Sequence, residues 1–245
     1  MRPRYLLVVG DGSTGWTDLI EGLLQRTGLA LAFDHPRLAA LVSGDCRCLA
    51  AGERVCIIGT LFRRHGPAEQ LASLDPSDIA AIQTNEGDAL LRSFWGGYVA
   101  AIMGEKSTRI LRDPSAGISC YFAEARGAIF FASDADLLVE TGLVVPDIDW
   151  GEVGRHFARA GVPSPATCLS GISELLPGFA ICVPWEADEQ LPCWSPWDHV
   201  EHSDGCSDPP DSGATVGTLA VSNVGISGRG QIIDMDQGGT LNAAL

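Results

Sequence analysis

The first two-thirds of the chain alternates short apolar runs with glycine-, proline- and acid-rich breaks, a pattern of closely spaced strands rather than long helices. Tyr5–Val9, Leu29–Phe33, Leu38–Val42 and Val55–Leu61 read as strands. So do Tyr98–Met103, Thr108–Leu111, Cys120–Ala123, Ala128–Ala132 and Ile181–Pro184. Trp16, Leu19, Ile20, Leu23 and Leu24 recur at helical spacing and predict a helix over Trp16–Arg26. A second helix is predicted over Asp78–Arg92, with Ser77 or Asp78 as its N-cap and Ile79, Ile82, Leu90 and Leu91 as its apolar positions. Ser133 is placed to cap a short helix, Asp134–Thr141. Asp149 is placed to cap another from Trp150 to Ala160, which Val162-Pro163 stops. Many strands and few helices predict an α+β fold in which helices cover antiparallel sheets.

Composition narrows the partners. The 245 residues suffice for one to two domains with their own core. With 46% hydrophobic and 19% charged residues, the chain is of ordinary globular composition. Sixteen basic against 31 acidic residues give a net charge of −15, which argues against nucleic acid or an anionic membrane as partner. Arg2 and Arg4 precede only Leu6–Val9, too short a run for a secretory signal. No stretch approaches the ~20 apolar residues that span a bilayer. A cytoplasmic protein with reduced thiols is the expectation, since eight cysteines in a chain of this size need not form a disulfide framework. Beyond Trp197 the character changes: all 17 aromatic residues lie at or before it, and residues 199–245 hold eight glycines, one arginine and no lysine.

Several constellations invite a chemical reading. Gly10, Gly12 and Gly15 fit G-x-G-x-x-G between a strand and a helix, with Asp34 where a ribose-binding acid would stand. The strands that follow at 8–12-residue spacing do not continue as βαβ units, so a plain glycine-rich turn is preferred. A free-standing small-ligand module, for a nucleotide or an amino acid, using the Gly10–Gly15 loop is kept as the alternative function. His199 and His202 with Asp204, Cys206 and Asp208 have zinc-ligand chemistry but no second paired motif, and Cys46-x-Cys48 with Cys56 is adequately explained by packing. No metal site is assigned. His156 reads as a surface or interface residue, and Trp185, Trp194 and Trp197 as packing for the segment they lie in, or as a partner surface if exposed.

The most informative stretch is Phe94–Leu138: FWGGYVAAI, RILRDPSAGISCYFAE, then IFFASDADLL. A glycine-to-aromatic strand, R-D-x-x-x-G, an aromatic strand and F-A-S-D before a helix resemble, in that order, the amidotransferase-like domain of the asparagine synthetase family. Asp149-Trp150, Pro163, Ser170-Gly171-Ile172 and Leu176-Pro177-Gly178, ending near Trp194, are similar to the family's connecting segment. Gly59-Thr60-Leu61-Phe62 and Trp95-Gly96-Gly97-Tyr98 look most like the lasso-peptide macrolactam synthetases, which close a peptide ring. The resemblance implies two stacked antiparallel sheets between helical layers, of the N-terminal-nucleophile type. It also implies a domain over residues 1–197 and, over 198–245, an incomplete remnant of the ATP-dependent synthetase domain.

The departures bear on chemistry. A glutaminase of this class uses a terminal cysteine whose own amine is its base, but no cysteine precedes Cys46. Hydrolysis of glutamine by that route is therefore not expected, and no catalytic residue is assigned. Ile58-Gly59-Thr60 stands where the family carries Asn-Gly-Glu, and Ser93 where it carries an aspartate. Arg37, before the strand at Leu38, matches the family's carboxylate-holding arginine, so Arg37 and Gly59 are the vestigial substrate-binding candidates; Arg37 also reads as a surface arginine. Arg112, Asp113 and Gly117 are read as a structural turn. Gly238 and Gly239, within Gln237–Asn242, stand at a degenerate pyrophosphate loop that lacks the family's serines and aspartate. ATP and magnesium belong to the complete family enzyme, and no cofactor is expected in this chain. The implied role is a scaffold domain of an amide-forming ligase, truncated relative to the family. Its candidate partners are a separate ligase chain, a precursor peptide or a second copy.

Overall fold

The computed structural model describes residues 3–12, 15–184 and 190–199, with three short strands between 225 and 242. The chain begins with β1 (Tyr5–Val9), α1 (Trp16–Thr27), β2 (Ala30–His35), β3 (Leu38–Val42), β4 (Cys48–Ala51), β5 (Val55–Gly59) and β6 (Phe62–Arg63). Two helices follow, α2 (Pro76–Thr84) and α3 (Asp88–Ser93), and then β7 (Phe94–Trp95), β8 (Tyr98–Met103), β9 (Thr108–Arg112), β10 (Tyr121–Ala125) and β11 (Ala128–Ala132). Next are α4 (Ala135–Glu140), α5 (Trp150–Ala158), β12 (Ser173–Glu174), β13 (Phe179–Val183) and β14 (Leu191–Pro192), ahead of a 3-10 turn at Pro196–His199.

Two six-stranded sheets result. One has the order β12-β10-β11-β1-β3-β2 and the other β14-β13-β9-β8-β5-β4. Every pairing within them is antiparallel. The fold is therefore α+β with two stacked antiparallel sheets, as the sequence predicts. Period-two alternation sorts each strand's side chains between two layers. Tyr5, Leu7 and Val9 of β1 join Cys56, Ile58, Val99, Ala101, Ile129 and Phe131 in the core between the sheets. Leu6 and Val8 face away, packing with Ile20 and Leu23 of α1 and Leu137 and Leu138 of α4. On the other outer face, Val55, Ile57, Ala100 and Ile102 pack against Ile82 of α2 and Leu90 of α3. Burial on both faces explains why the central strands read as unbroken apolar runs.

The helix predicted over Asp78–Arg92 is two helices. Glu86 (φ 49°) and Gly87 (φ 97°) adopt left-handed backbone between them, and Gly87 N–H closes the first helix onto Ile82 O at 2.8 Å. The first helix starts earlier than predicted because Pro76 suits its first turn, so Asp75 takes the N-cap position instead of Ser77 or Asp78. At α4 the cap is Asp134, which accepts from Leu137 N–H at 2.9 Å, while the Ser133 hydroxyl donates to Asp134. Asp149 caps α5 as expected, accepting from Glu152 N–H.

The Arg112-Asp113 turn ties the two sheets together. Asp113 is fully buried; its carboxylate accepts from Tyr98 N–H at 3.1 Å and from Ser115 N–H at 2.8 Å. Arg112, also buried, donates to Ile118 O, Leu175 O and the Glu174 carboxylate at 2.9, 2.6 and 2.8 Å. Arg112 ends a strand of one sheet and Glu174 lies in a strand of the other.

Met1–Val200 packs as one unit, and residues 201–245 form a second. In the second, β15 (Gly225–Ile226), β16 (Ile232–Met235) and β17 (Leu241–Asn242) pair antiparallel. Gly238, Gly239, His202, Asp204, Cys206, Asp208 and Trp185 lie outside the described residues.

Replacing Arg112 by Met strips the buried Leu175 carbonyl and the part-buried Ile118 carbonyl of their donor, at about 1–3 kcal/mol each. A loss of about 3 kcal/mol in urea-unfolding stability is expected, with the α+β circular-dichroism signature retained.

Candidate functional site

The turn fixed by Asp113 carries the loop 114–118 over the start of β8, and a cavity of about 310 Å³ opens beside it, at the head of β1. Its floor is main chain. Gly59 has φ 112°, and a Cβ there would lie 2.2 Å from Gly97 O. Gly97 and Gly117 lie face to face: a Cβ on Gly117 would stand 2.5 Å from Gly97 Cα. No side chain fits between these backbones. Thr60 N–H donates to Gly97 O and Gly59 N–H to Arg47 O, both at 2.9 Å, so three loops are locked together.

The walls are Pro3, Tyr5, Asp45, Cys46, Arg47, Thr60, Gln70 and Ile118. Tyr5 occupies the first position of β1, buried, its hydroxyl donating to Ser119 O at 2.6 Å. Burial and the neighbouring Cys120 thiol push that phenol well above its ordinary value. Cys120, fully buried, is itself pushed up to about 12, chiefly by burial. Cys46 is pushed up to about 11 by burial and by the nearby Cys48 and Asp45. A thiol so raised is almost wholly protonated at neutral pH and is a weak nucleophile. The Ser43 hydroxyl, donating to Asp45 at 2.6 Å, holds that carboxyl below its usual range. The walls thus offer a guanidinium, a carboxylate, a hydroxyl and an amide, enough to hold a small zwitterion but without an activated thiol.

Arg37 and Gly59 are not brought together. Arg37 lies beyond the far end of β1, about 13 Å of strand from Tyr5, and donates to Gly104 O at 2.8 Å and Glu105 O at 3.2 Å. It lines a different cavity of about 330 Å³ with Asp11, Lys106 and Glu124. The arginine at the Gly59 cavity is Arg47, which sequence reasoning missed. Its signal was present: Arg47-Cys48, like Arg37-Leu38, is an arginine directly before a strand, but β4 is too short and small-sided to read as one. Ser93 ends α3 outside the cavity lining.

The Gly10–Gly15 loop leads into α1, but β1 is antiparallel to both neighbouring strands, so no βαβ unit exists here. The cavity at the helix start is lined by Asp11 and Asp18 as well as Arg126, so its charge is mixed. Among the described residues, no group of three or more His, Cys, Asp or Glu is placed to hold a metal ion. Also among them, no helix is long and apolar enough to cross a membrane.

Two outcomes follow. Gly117→Ala overpacks the floor and should lower stability by about 1–3 kcal/mol, read by urea unfolding. The protonated forms of Cys46 and Cys120 are favoured by folding, whereas the unfolded thiols ionise near their ordinary value of 9.0. Stability is therefore full below pH 9 and falls as pH rises toward 12. Thermal melts across that range should show the fall, and Cys120→Ala should flatten it.

Comparison with known proteins places these features. A glutamine amidotransferase domain family matches residues 70–194, just over half of the chain. No curated protein sequence matches. Among solved structures, the allosteric regulatory enzyme of purine biosynthesis aligns at 11% identity and TM-score 0.39, over 74% of this chain and 46% of its own. Glutamine phosphoribosylpyrophosphate amidotransferase from B. subtilis, complexed with ADP and GMP, aligns at 10% identity and TM-score 0.38, over 74% and 47%. The chain spans just under half the length of each. On the family match, this chain belongs to the glutamine amidotransferase domain family.

Proposed function

We propose that this domain is the amidotransferase-like part of an asparagine-synthetase-type, amide-forming ligase of the lasso-peptide kind, and that it serves as scaffold rather than glutaminase. The observation that carries this reading is the head of β1. A buried, neutral tyrosine stands there, its hydroxyl engaged by Ser119 O, and the cavity's one lining thiol, Cys46, is held protonated. The glycine floor is a feature of shape, and it persists without the nucleophile. An amine taken from a peptide substrate would make ammonia from glutamine unnecessary, which fits a ring-closing ligase.

A scaffold needs a partner to hold. Trp150 and Phe157 lie seven residues apart on one face of α5 and are 74% and 79% exposed, with Val162 close behind in sequence at 65%. Apolar surface of this kind favours association. A separate ligase chain is the occupant proposed here, with a precursor peptide or a second copy as the other candidates. A cytoplasmic setting agrees with the free thiols.

The purified chain given glutamine should release no ammonia above the protein-free rate; steady turnover would sink the scaffold reading. A thermal-shift series with glutamine, asparagine and NAD separates it from the free-standing binding module, because a ligand that binds the native state raises its melting temperature. The scaffold reading expects no shift with NAD, and a clear NAD-dependent rise would revive the Gly10–Gly15 loop as a site.

A further inference from the structure

The strand pair leading into the cavity floor carries two cysteines that the proposed function leaves unused. β4 and β5 pair with Cys48 opposite Ile58 and Ala50 opposite Cys56. Cys48 and Cys56 are therefore diagonal neighbours, and both pack into the core between the sheets. Their sulfurs are 3.4 Å apart. Cys56 is fully buried, whereas Cys48 is half-buried on the strand that forms one edge of its sheet. One member of the pair is thus reachable by a small solute, and the other waits directly behind it.

We propose that Cys48 and Cys56 are a peroxide-oxidised dithiol that closes to an intrachain disulfide, stapling the edge strand β4 to β5 beside the cavity. The inference does not depend on whether the cavity binds or turns over glutamine.

Exposure divides the roles, since a solute reaches Cys48 and Cys56 lies behind it. Either sulfur can donate in the bond between them; with Cys56 donating, the bond lowers Cys48 from its ordinary value, while the same bond and burial raise Cys56. The Cys48 thiolate attacks one oxygen of hydrogen peroxide. An S–O bond forms, the O–O bond breaks, and the departing hydroxide takes up a proton to leave as water. The Cys56 sulfur then attacks the sulfenic sulfur of Cys48. The S–S bond forms, the S–O bond breaks, and hydroxide leaves with the Cys56 proton as a second water. Two thiols are oxidised and one peroxide is reduced to two waters. The sulfurs need to close by only about 1.4 Å to reach the ~2.05 Å of a disulfide. The cross-link falls one residue after Arg47, whose carbonyl holds Gly59 N–H, so it bears directly on the cavity wall.

The sequence makes the test clean. Trypsin cutting after Arg37, Arg47, Arg54 and Arg63 puts Cys46 in residues 38–47, Cys48 in 48–54 and Cys56 in 55–63. The full chain is treated with a small excess of hydrogen peroxide, free thiols are alkylated, and the digest is mapped by mass spectrometry with and without dithiothreitol. The expected product is 48–54 joined to 55–63, lighter by two hydrogen atoms and released by dithiothreitol. In Cys56→Ser, Cys48 should instead accumulate as a dimedone-trapped sulfenic acid; in Cys48→Ser, Cys56 should stay alkylatable after unfolding. If either variant fails to fold, the wild-type map decides alone. Linkage of 38–47 to 48–54, or Cys48 and Cys56 both still alkylatable after oxidation, would overturn the proposal. So would sulfinic acid at Cys48 without the linked pair.

Discussion

The guanidinium of Arg112 sits where the two sheets meet, bonded to Ile118 O, Leu175 O and Glu174, and the position of the cavity follows from that knot. Arg112 belongs to a central strand of one sheet and Glu174 to an edge strand of the other, so a single buried side chain sets their separation at this end. Asp113 extends the same knot by accepting from Tyr98 and Ser115, which fixes the loop bearing Gly117 against Gly97. Burying a charged group is costly unless it is paired and bonded. Here each donor named has an acceptor, and the stacking of two sheets yields a defined opening rather than a loose seam.

The strand pattern was legible because burial on both faces leaves a continuous apolar run, as at Tyr5–Val9 and Ala128–Ala132. At the R-D-x-x-x-G turn, proline restricts the backbone, and the buried Arg112 and Asp113 side chains bond to main chain on either side. What the sequence hid was local. The division of one helix into two depends on left-handed backbone at Glu86 as well as Gly87, and glutamate gives no such signal. Arg37 and Arg47 each precede a strand; only the register of β1 against β3 shows that the first is at the wrong end to meet Gly59. Tyr5 as a wall of the cavity could not be read from its place in an apolar run.

Membership of the glutamine amidotransferase domain family and a protonated thiol in the cavity wall are compatible because they reside in different parts of the molecule. The family pattern over residues 70–194 is carried by strands, turns and glycines, which answer to packing. Amide hydrolysis answers to one nucleophile, its base and a few clamps, a handful of groups that packing does not require. The protonated Cys46 and Cys120 illustrate this, since burial that suits a packed core is what makes a thiol unreactive.

A floor made of main chain has no rotamers. Gly59, Gly97 and Gly117 cannot swing aside for a bulkier guest, nor can substitution reshape them without moving a loop. Whatever variety of guest this opening admits must therefore be written in its walls, at Arg47, Thr60 and Gln70, which carry side chains free to differ in size and charge. A library confined to those three positions would explore new ligands on an unchanged foundation, while one that included the glycines would spend most of its members on destabilised chains.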